Sequence, residues 1–299
     1  MVESSLRVVQ LNLGSLLEPG WADRRHEVVA WLGELRPDVA CFQEVWEDDN
    51  TANTAGWIVD QLPELAYQHA FGGAAFDPSL WPDPSLRFGS AVLSRWSIDA
   101  WTYHRLPINE DDPGDGIAAK VPWELLHVRT AGLDVFSCHL AAPPTDGLHR
   151  QRQVLAIDEI IREHRGDLDQ VGAFGHRREA MPTVLCGDFN AEPDSDEIRF
   201  LCALTALDGR TTYYQDAWRV AGEGLGTTQD GRSNELANSM NVPRKRIDYV
   251  FVGDPFMRQG SAGRVLSSSL AFHEPRTGLH ASDHFGLCVD IAWPQRPDA

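Results

Sequence analysis

Residues 184–199 read VLCGDFNAEPDSDEIR, an apolar run followed by six side chains that carry a carboxyl or amide group. The apolar run is typical of a buried strand, so the polar residues begin where that strand ends. Two interpretations compete for them. They form a solvated acidic loop that caps the next helix, or they supply oxygen ligands for a cation and a phosphate.

Strands and helices are predicted on both sides of this stretch. Apolar runs bounded by turn residues predict short strands, and apolar residues at helical spacing predict three helices. A hairpin turn is expected at Ala131 and Gly132. The strands are residues 6–13, 39–45, 87–98, 121–130, 133–142, 181–188, 245–252 and 284–293, and the helices are residues 23–36, 146–165 and 194–204.

No repeat, low-complexity linker or change of composition marks a boundary along the 299 residues. We therefore expect one domain, residues 1–299. With 42% hydrophobic and 23% charged residues, the chain has ample material for a buried core. Strands scattered among helices, with many hairpin-length connections, indicate a two-sheet core covered by helices on its outer faces.

The N-terminus and the cysteines bear on the cellular compartment. The first residues, MVESSLRVVQ, lack the basic region and cleavage site of a signal peptide, and no apolar run approaches the roughly 18 residues that span a bilayer. A cytoplasmic protein without a membrane span is the expectation. Five cysteines, an odd number without CxxC spacing, signal neither a disulfide framework nor a thiolate zinc site.

The charge balance constrains the partners. A formal net charge of −18 disfavours a protein that binds a long polyanion, because affinity for nucleic acid comes largely from Lys and Arg side chains that neutralise phosphates. It suits metal cations and a small phosphoester substrate better, although a local basic groove is compatible with it. Arg87, Lys245 and Arg246 are candidates for phosphate contact or for a solvated strand edge.

Polar side chains interrupt the predicted strands near their C-terminal ends. They are Asn12, Glu44, His139, Asp188 with Asn190, Asp248, and Asp283 with His284. Taken singly, each is explained as a turn former, a helix cap or a buried group that satisfies the backbone. Taken together, they suit phosphoryl chemistry, because carboxylate and amide oxygens bind hard divalent cations and a carboxylate or carboxylate–histidine pair can deprotonate water.

The motifs around these residues resemble those of the endonuclease/exonuclease/phosphatase family. In chain order they are QLNLGS, CFQEVW, GSAVLSRWSI, SCHLAA, GDFNAEPDSDEI, RKRIDYVFV and SDHFGLCVDI. The resemblance runs from about Val8 to Ile291, and the order GDFN, RIDY, SDH is its most specific part. It implies a four-layer α/β sandwich, in which two mixed β-sheets pack face to face and are flanked by helices, with the site at one edge of the sheets.

The resemblance also implies catalytic roles. Asp188 is similar to the residue that orients or deprotonates the attacking water, and Asn190 to the donor that holds a phosphate oxygen. His284 corresponds to the residue that contacts the scissile phosphate, with Asp248 behind it fixing tautomer and orientation, a pairing that raises the imidazole pKa. His139 corresponds to a phosphate-binding or proton-donating histidine.

A metal site follows from the same resemblance. Glu44 is similar to the principal metal carboxylate, assisted by Asn12, and Asp283 reaches the same cation or a neighbouring one. Mg²⁺ or Mn²⁺ is the implied cofactor, and Ca²⁺ also fits oxygen ligands. One departure is Cys138, which stands where the family usually has a threonine, and it leaves the neighbouring histidine in place.

The opening stretch then divides into two parts. Asp188 and Asn190 flank a phenylalanine, so in an extended backbone their side chains point to the same side and meet one phosphate. The acidic residues beyond them are better explained as charges that complement the dipole of the next helix. These are Glu192, Asp194, Asp196 and Glu197.

The function that these observations favour is a divalent-metal-dependent phosphoester hydrolase, a phosphodiesterase or phosphatase. It acts on a small or lipid-derived phosphoester by direct attack of activated water. A metal-dependent endo- or exonuclease is the alternative enzyme, disfavoured because loops 72–86, 108–117 and 221–243 are mostly acidic or neutral. A non-catalytic binding protein with the same fold is the alternative of another class. The leaving group, monoester against diester, and the oligomeric state stay open at this level.

Overall fold

The computed structural model describes residues 4–108, 116–165, 181–237, 244–253, 262–294 and 296–297. Parts of two predicted loops, residues 109–115 and 238–243, lie outside the described residues. The strands are β1 (Ser5–Asn12), β2 (Val39–Glu47), β3 (Gln68–Ala74), β4 (Arg87–Ser94), β5 (Ile98–Arg105), β6 (Glu124–Thr130), β7 (Leu133–His139), β8 (Val184–Asp188), β9 (Gln215–Asp216), β10 (Asp248–Val252), β11 (Val265–Ala271) and β12 (Gly286–Ala292). The helices are α1 (Trp21–Leu35), α2 (Thr54–Asp60), α3 (Gly147–Arg165), α4 (Asp196–Leu201) and α5 (Ala217–Ala221), with a 3-10 turn at Pro63–Leu65.

The strands form two six-stranded mixed sheets. The first sheet has the order β11-β12-β1-β2-β4-β3, and the second has the order β5-β6-β7-β8-β10-β9. In the first sheet β1 and β2 are parallel, and in the second β7 and β8 are parallel, while the other paired strands are antiparallel. Parallel neighbours need a crossover connection, which α1 provides in the first sheet and α3 in the second.

Alternation of side chains along the strands builds three apolar layers. On β1, Val8 packs between the two sheets while Val9 packs under α1. On β7, Val135 packs between the sheets while Phe136 packs under α3. The molecule is therefore a four-layer α/β sandwich of helices, sheet, sheet and helices, which confirms the predicted fold class.

Local sequence explains several element boundaries. Helix α1 ends at Leu35, because the next residue, Arg36, has a φ of 47°, outside the right-handed helical region, just before Pro37. Helix α2 begins after Asn53, whose side chain accepts hydrogen bonds from two backbone N–H groups of the first turn. The predicted hairpin is present, since Ala131 and Gly132 have φ of 49° and 77° and join β6 to β7, as in a type I′ turn.

The prediction of one strand over residues 87–98 is wrong. β4 ends at Ser94, the chain turns, and β5 begins at Ile98 in the other sheet. β5 is a largely exposed edge strand, so its sequence lacks the apolar alternation that would have identified it as a strand distinct from β4. The predicted helix 194–204 is also shorter, since α4 begins after Ser195 and ends at Leu201.

All five cysteines are buried and free. Burial raises the pKa of Cys138 and Cys186 well above the usual range, and it raises the pKa of Cys202 and Cys288 to about 11. Each thiol therefore packs as a small apolar group. No helix within the described ranges is both long enough and apolar enough to cross a membrane.

Candidate active site

Four predicted site residues lie where strands end at one edge of the two sheets. Asn12 is the last residue of β1, and Glu44 lies three residues before the end of β2. His139 and Asp188 end the parallel strands β7 and β8 and are paired with each other. Because parallel neighbours end at the same edge, these side chains converge there.

Asp248, Asp283 and His284 reach the same edge by a different route. The prediction that they lie at C-terminal ends of strands is wrong. Asp248 begins β10, which is antiparallel to β8, so it pairs with Asp188. Asp283 and His284 precede β12, which is antiparallel to β1. In a mixed sheet the start of an antiparallel strand lies beside the end of its neighbour.

The alternation of side chains points this polar group into the gap between the sheets. Val8, Val184 and Val250 lie in the core between the sheets. Asn12 is four residues after the first of these and Asp188 four residues after the second, so both share their face. The site is therefore the polar end of the inter-sheet core.

One carboxylate oxygen, Asp188 Oδ2, is the point where the site converges. It accepts a hydrogen bond from Asn12 Nδ2 at 3.0 Å. It also lies 3.6 Å from His139 Nε2 and 3.7 Å from His284 Nε2. The other oxygen, Oδ1, accepts the backbone N–H of Asn190 at 2.8 Å. Asp188 is buried, so these contacts fix its carboxylate in one orientation.

Asn190 lies beside Asp188, although the predicted extended backbone is wrong. Its φ of 48° places it in the left-handed region, which Asn adopts more readily than most residues. Its Nδ2 donates to the carbonyl oxygen of Leu140 at 3.0 Å. The turn thus ties the end of β8 to the end of β7, and the role of Asn190 as a phosphate donor stays a prediction.

A β-bulge places Glu44. Phe42 pairs with Ala91 and Val45 pairs with Gly89, so β2 has one more residue than β4 across this interval. Glu44 itself has a φ of 57°. Phe42 and Val45, three residues apart, both pack in the core on the helix side of the sheet. The alternation of side chains between the two faces is therefore interrupted at the bulge, where Glu44 lies.

Glu44 is buried beside two polar residues of the same edge. Its Oε1 accepts a hydrogen bond from Asn12 Nδ2 at 3.1 Å. Burial, and then the charge of Asp283, raise the pKa of Glu44 to about 8. Asn12 uses its own oxygen to accept the N–H of Gly14 at 3.0 Å. In this arrangement Asn12 presents its nitrogen to the carboxylates, and its predicted role as an oxygen ligand stays a prediction.

His284 and Asp248 form the predicted pair. His284 Nδ1 and Asp248 Oδ2 are 2.9 Å apart, and Nε2 of the same ring is directed toward Asp188 and Asp283. Burial lowers the pKa of His284, but the charges of Asp248, Asp283 and Asp188 outweigh it and raise the pKa well above the usual value. The ring is therefore an imidazolium at neutral pH.

His139 has the opposite electrostatics. Burial lowers its pKa, and the nearby carboxylate of Asp188 only partly offsets this. The edge of its ring meets Trp123 at a centroid distance of 5.2 Å. The two histidines beside Asp188 thus differ in charge, one neutral and one protonated.

The family model described as Endonuclease/Exonuclease/phosphatase family matches residues 9–284, which span every site residue described above. The chain belongs to the endonuclease/exonuclease/phosphatase family. Its members hydrolyse phosphoester bonds, so the chain is identified at that coarse level as a phosphoester hydrolase. No curated protein matches the sequence.

Solved structures of the endonuclease/exonuclease/phosphatase family share the fold at low identity. A Beutenbergia cavernae member is 23% identical with a TM-score of 0.67, over 99% of this chain and 73% of that one. D. rerio TDP2 complexed with single-strand DNA product is 18% identical with a TM-score of 0.65, over 97% and 99%. The human Nocturnin catalytic domain with bound sulfate anion is 19% identical with a TM-score of 0.64, over 96% and 93%.

Enzymes of this family generally use divalent metals, and the residues of this edge fit one. The carboxyl groups of Glu44 and Asp283 are both buried and close to each other. Burial, and then the charge of Asp283, raise the pKa of Glu44. A cation stabilises such a pair. One donor atom each from Asp188, Asp248 and His284 also lies within 4.8 Å of the others. That grouping differs from the predicted metal ligands, Asn12, Glu44 and Asp283. The predicted ligand set stays a prediction.

A buried glutamine pair connects the two sheets behind the site, and the sequence interpretation missed it. Gln10 Nε2 donates to Gln43 Oε1 at 2.8 Å and to Asp248 Oδ1 at 3.1 Å. Gln43 Nε2 donates to Ser137 Oγ at 3.0 Å. The signal was present, because both glutamines occupy inward positions of otherwise apolar strands. They hold Asp248 in place from the side opposite His284.

Residues from a loop complete the support of the Asp248–His284 pair. Thr228 Oγ1 accepts the N–H groups of Ile247 and Asp248 at 3.1 and 3.2 Å. The side-chain amide of Gln229 lies 3.4 Å from His284 Nε2, and because an imidazolium only donates, the amide oxygen of Gln229 is the atom that can accept from the ring. No local sequence pattern identifies these residues, since they come from an irregular segment that only the fold brings to β10.

Arg24 fixes two loops of the site to each other. It is a buried helix residue of α1 that donates to backbone carbonyl groups, all within 3.3 Å. These carbonyls belong to Leu13, Gly14, Glu18 and Pro19 after β1 and to Ala281 before β12. The loops that carry Asn12 and Asp283 are therefore joined through one guanidinium.

The capping interpretation of the acidic stretch needs one correction. Glu197 is buried and accepts Arg150 Nε at 2.9 Å. The same guanidinium donates to the carbonyl groups of Ala141 and Pro143. Glu197 therefore anchors the segment that follows His139, through an ion pair between α3 and α4 that has no local sequence signature.

The candidate phosphate-binding arginines are engaged elsewhere. Arg246 is buried and pairs with Asp216 at 2.8 Å. Arg87 forms an ion pair with Glu47 on the neighbouring strand. Their positive charge is already matched by carboxylates, so neither adds a free cation to this edge.

Proposed function

We propose that this chain is a divalent-metal-dependent phosphoester hydrolase that acts on a small or lipid-derived phosphoester by direct attack of an activated water. The observation that supports it best is the convergence of two buried histidines on Asp188 Oδ2, His139 with a lowered pKa and His284 with a raised pKa. This arrangement places a proton acceptor beside a group that carries positive charge. Both are needed when water adds to phosphorus.

Asp188 takes the proton of the attacking water. Its carboxylate is buried and held by Asn12 and by the backbone of Asn190, so its free electron pairs have a fixed direction. As the water oxygen bonds to phosphorus, the bond from phosphorus to the leaving oxygen breaks, the leaving oxygen departs with the electron pair of that bond, and the water proton passes to Asp188. No covalent bond between protein and phosphorus is required.

His284 stabilises the charge that builds up on the phosphoryl oxygens. Its Nδ1 is fixed by Asp248, so Nε2 is the nitrogen that faces Asp188 and Asp283. A charge-assisted hydrogen bond from an imidazolium is roughly twice as strong as a neutral one. His139, neutral and on the other side of Asp188, orients a substrate oxygen or the water.

Glu44 and Asp283, with Asn12 beside them, are the residues that would hold the divalent cation. When bound, Mg²⁺ or Mn²⁺ neutralises negative charge on the phosphate and helps to position it. The protein's own contribution is to keep two carboxyl groups together in a buried place, against their mutual repulsion.

The charge distribution supports a small substrate. The net charge is −18, and two arginines near the site are paired with carboxylates. A duplex needs a row of free cations for its phosphates, whereas a single phosphoester needs only the local cation and the imidazolium. A nuclease is the second candidate, because the related D. rerio TDP2 was solved with a single-strand DNA product.

The decisive experiment measures hydrolysis of bis-p-nitrophenyl phosphate with Mg²⁺ or Mn²⁺, before and after chelation. Asp188→Asn, which keeps the size of the side chain, should abolish turnover, whereas Asp99→Asn on exposed β5 should leave it unchanged. Inertness of the folded wild-type protein with both metals and with a panel of nucleotides, inositol phosphates, lipid headgroups and oligonucleotides would favour a binding protein instead.

A further inference from the structure

We propose that the outer face of the second sheet carries a separate site for a divalent transition-metal ion such as Zn²⁺, built from His127, Asp134 and His164. It is independent of the phosphoester chemistry, because it lies under helix α3. The catalytic edge faces the gap between the sheets.

Strand pairing brings two of the three residues together. His127 on β6 pairs with Phe136 on β7, and Asp134 is two residues before Phe136. His127 and Asp134 therefore lie on the same face of the sheet as Phe136. Phe136 packs in the core beneath α3, which identifies this face as the outer one. His139, by contrast, is an odd number of residues from Phe136 and faces inward.

The third residue comes from the end of α3. Ile161 packs in the same core, and His164 is three residues later, on the same side of the helix. The His164 ring lies 4.2 Å from the His127 ring, centroid to centroid. His127 stacks on Phe136 at 4.3 Å with an interplanar angle of 7°, which fixes its plane.

The donor atoms are already close. His127 Nε2 and Asp134 Oδ1 are hydrogen-bonded at 2.9 Å, so a metal ion would replace the proton that they share. One donor atom from each of the three residues lies within 4.8 Å of the others. Tetrahedral Zn²⁺ with bonds of about 2.0–2.1 Å requires donors about 3.3 Å apart. His164 is exposed near the helix end, so its side chain is free to close this gap.

The donor set selects a transition metal over Mg²⁺. Two imidazoles and one carboxylate suit Zn²⁺, Cu²⁺ or Ni²⁺, whereas Mg²⁺ prefers oxygen ligands.

His104 borders the same site. Thr102 pairs with His127, and His104 is two residues further along β5, on the same face. Its Nε2 is buried and has no hydrogen-bond partner in the part of the chain that the structure describes. It is therefore the side chain best placed to supply a fourth ligand or to bind a metal-bound water.

One positive charge competes with the metal. Arg129 Nη1 lies 3.6 Å from Asp134 Oδ1, and its side chain is half exposed. A cation at this carboxylate has to displace or tolerate that guanidinium. Removing the arginine charge should therefore tighten metal binding, whereas removing one of the ligands should weaken it.

The test is equilibrium dialysis of the full chain with Zn²⁺, together with Co²⁺ as a spectroscopic probe. The wild type should bind one more Zn²⁺ per chain than His164→Ala or Asp134→Asn. Its Co²⁺ form should show the visible bands of a four-coordinate site, and these should be lost in His164→Ala. Arg129→Gln should bind about 2- to 5-fold more tightly, the scale of one exposed ion pair.

Two controls separate this site from the others. His26→Ala changes an exposed histidine of α1 and should bind as the wild type does. His284→Ala alters the catalytic edge and should keep the Co²⁺ bands. His164→Ala should also hydrolyse phosphoesters normally and keep the thermal midpoint of the metal-free wild type. Equal Zn²⁺ stoichiometry and an unchanged Co²⁺ spectrum in folded His164→Ala would overturn the proposal.

Discussion

His284 is a residue at which burial and charge act in opposite directions. Burial alone would make the ring neutral, yet the charges of Asp248, Asp283 and Asp188 keep it protonated. The hydrogen bond between Nδ1 and Asp248 also fixes which nitrogen faces Asp188 and Asp283. The residue therefore depends on its partners for both charge and direction.

We expect Asp248→Asn and His284→Ala each to lower kcat by about 10²-fold or more, the loss seen when one preorganised transition-state donor is removed. The double variant should be little worse than the poorer single one, because losses within a catalytic unit are non-additive. kcat and the thermal midpoint should be measured on the same samples. A folded, fully active His284→Ala protein would end this mechanism.

Glu44 gives a prediction about pH in the chelated, metal-free protein. Burial and then Asp283 raise its pKa from 4.5 to about 8 in the folded state. Between these values the folded chain holds a proton that the unfolded chain has lost, so the free energy of unfolding falls as pH rises. Glu44→Gln cannot titrate, and it should show a smaller fall.

Urea unfolding at about pH 5 and about pH 8, with chelator present, measures that difference. The same substitution should weaken the metal dependence of hydrolysis sharply, since it removes a carboxylate ligand. An identical pH dependence of stability in the wild type and Glu44→Gln would show that this carboxyl group titrates normally.

At the scale of single residues, the sequence predicted which residues lie at the site better than it predicted their backbone conformation and contacts. Asp188 and Asn190 were found because they follow an apolar strand, and they do lie together. The left-handed backbone of Asn190 was not predictable, because it depends on the carbonyl of Leu140 from another strand. Arg24 escaped for the same reason, since its partners are backbone atoms of distant loops.

At the scale of elements, the loop from β1 to α1 shows how closely the site is packed. Gly14 has a φ of 54°, and a Cβ atom on it would lie 2.8 Å from Asp283 Oδ1. Only glycine satisfies both the backbone conformation and the close approach. The loop before β12 therefore rests directly on this glycine.

Gly14→Ala should lower both stability and kcat, because the added methyl group displaces the carboxylate of Asp283. Gly20→Ala is the matched control, since Gly20 has a φ of 74° but no atom within 4 Å of its added Cβ. It should lose only the cost of the left-handed conformation, about 1–2 kcal/mol, and keep its kcat. Equal effects of the two substitutions on kcat would contradict the contact with Asp283.

The elements that the sequence identified are those with a strong apolar period. β1, β8 and α3 were predicted because one face of each is continuously apolar. β5 was missed as a separate strand, because an exposed edge strand needs no alternation. The bulge at Glu44 was also invisible, since an extra residue in one strand is defined only by its partner.

At the scale of the molecule, the charge leads to a substrate prediction. With a net charge of −18, kcat/KM for small or lipid-derived phosphoesters should exceed that for duplex DNA. Any DNA cleavage should be slow and without sequence preference. The measurement is a side-by-side comparison at physiological salt. Efficient plasmid nicking without small-molecule activity would reverse the ranking in favour of a nuclease.

The whole architecture was predictable because the order of the motifs indicated the family, and the family has a known fold. The order GDFN, RIDY, SDH led to the family and hence to two packed sheets, which the structure confirms. The single domain of residues 1–299 and the substrate stay predictions. Substrate choice depends on loops at the rim, whose sequences have no period that could predict their shape.

The five buried cysteines have a practical consequence for experiments on this protein. A buried thiol reacts slowly with maleimides and with disulfide reagents, so the folded chain offers them almost no background. A single cysteine introduced at an exposed position, such as Asp99→Cys on β5, should therefore take a fluorescent or spin label selectively. Conversely, the rate at which the native thiols become reactive reports opening of the cores, which makes them built-in probes of unfolding under native conditions.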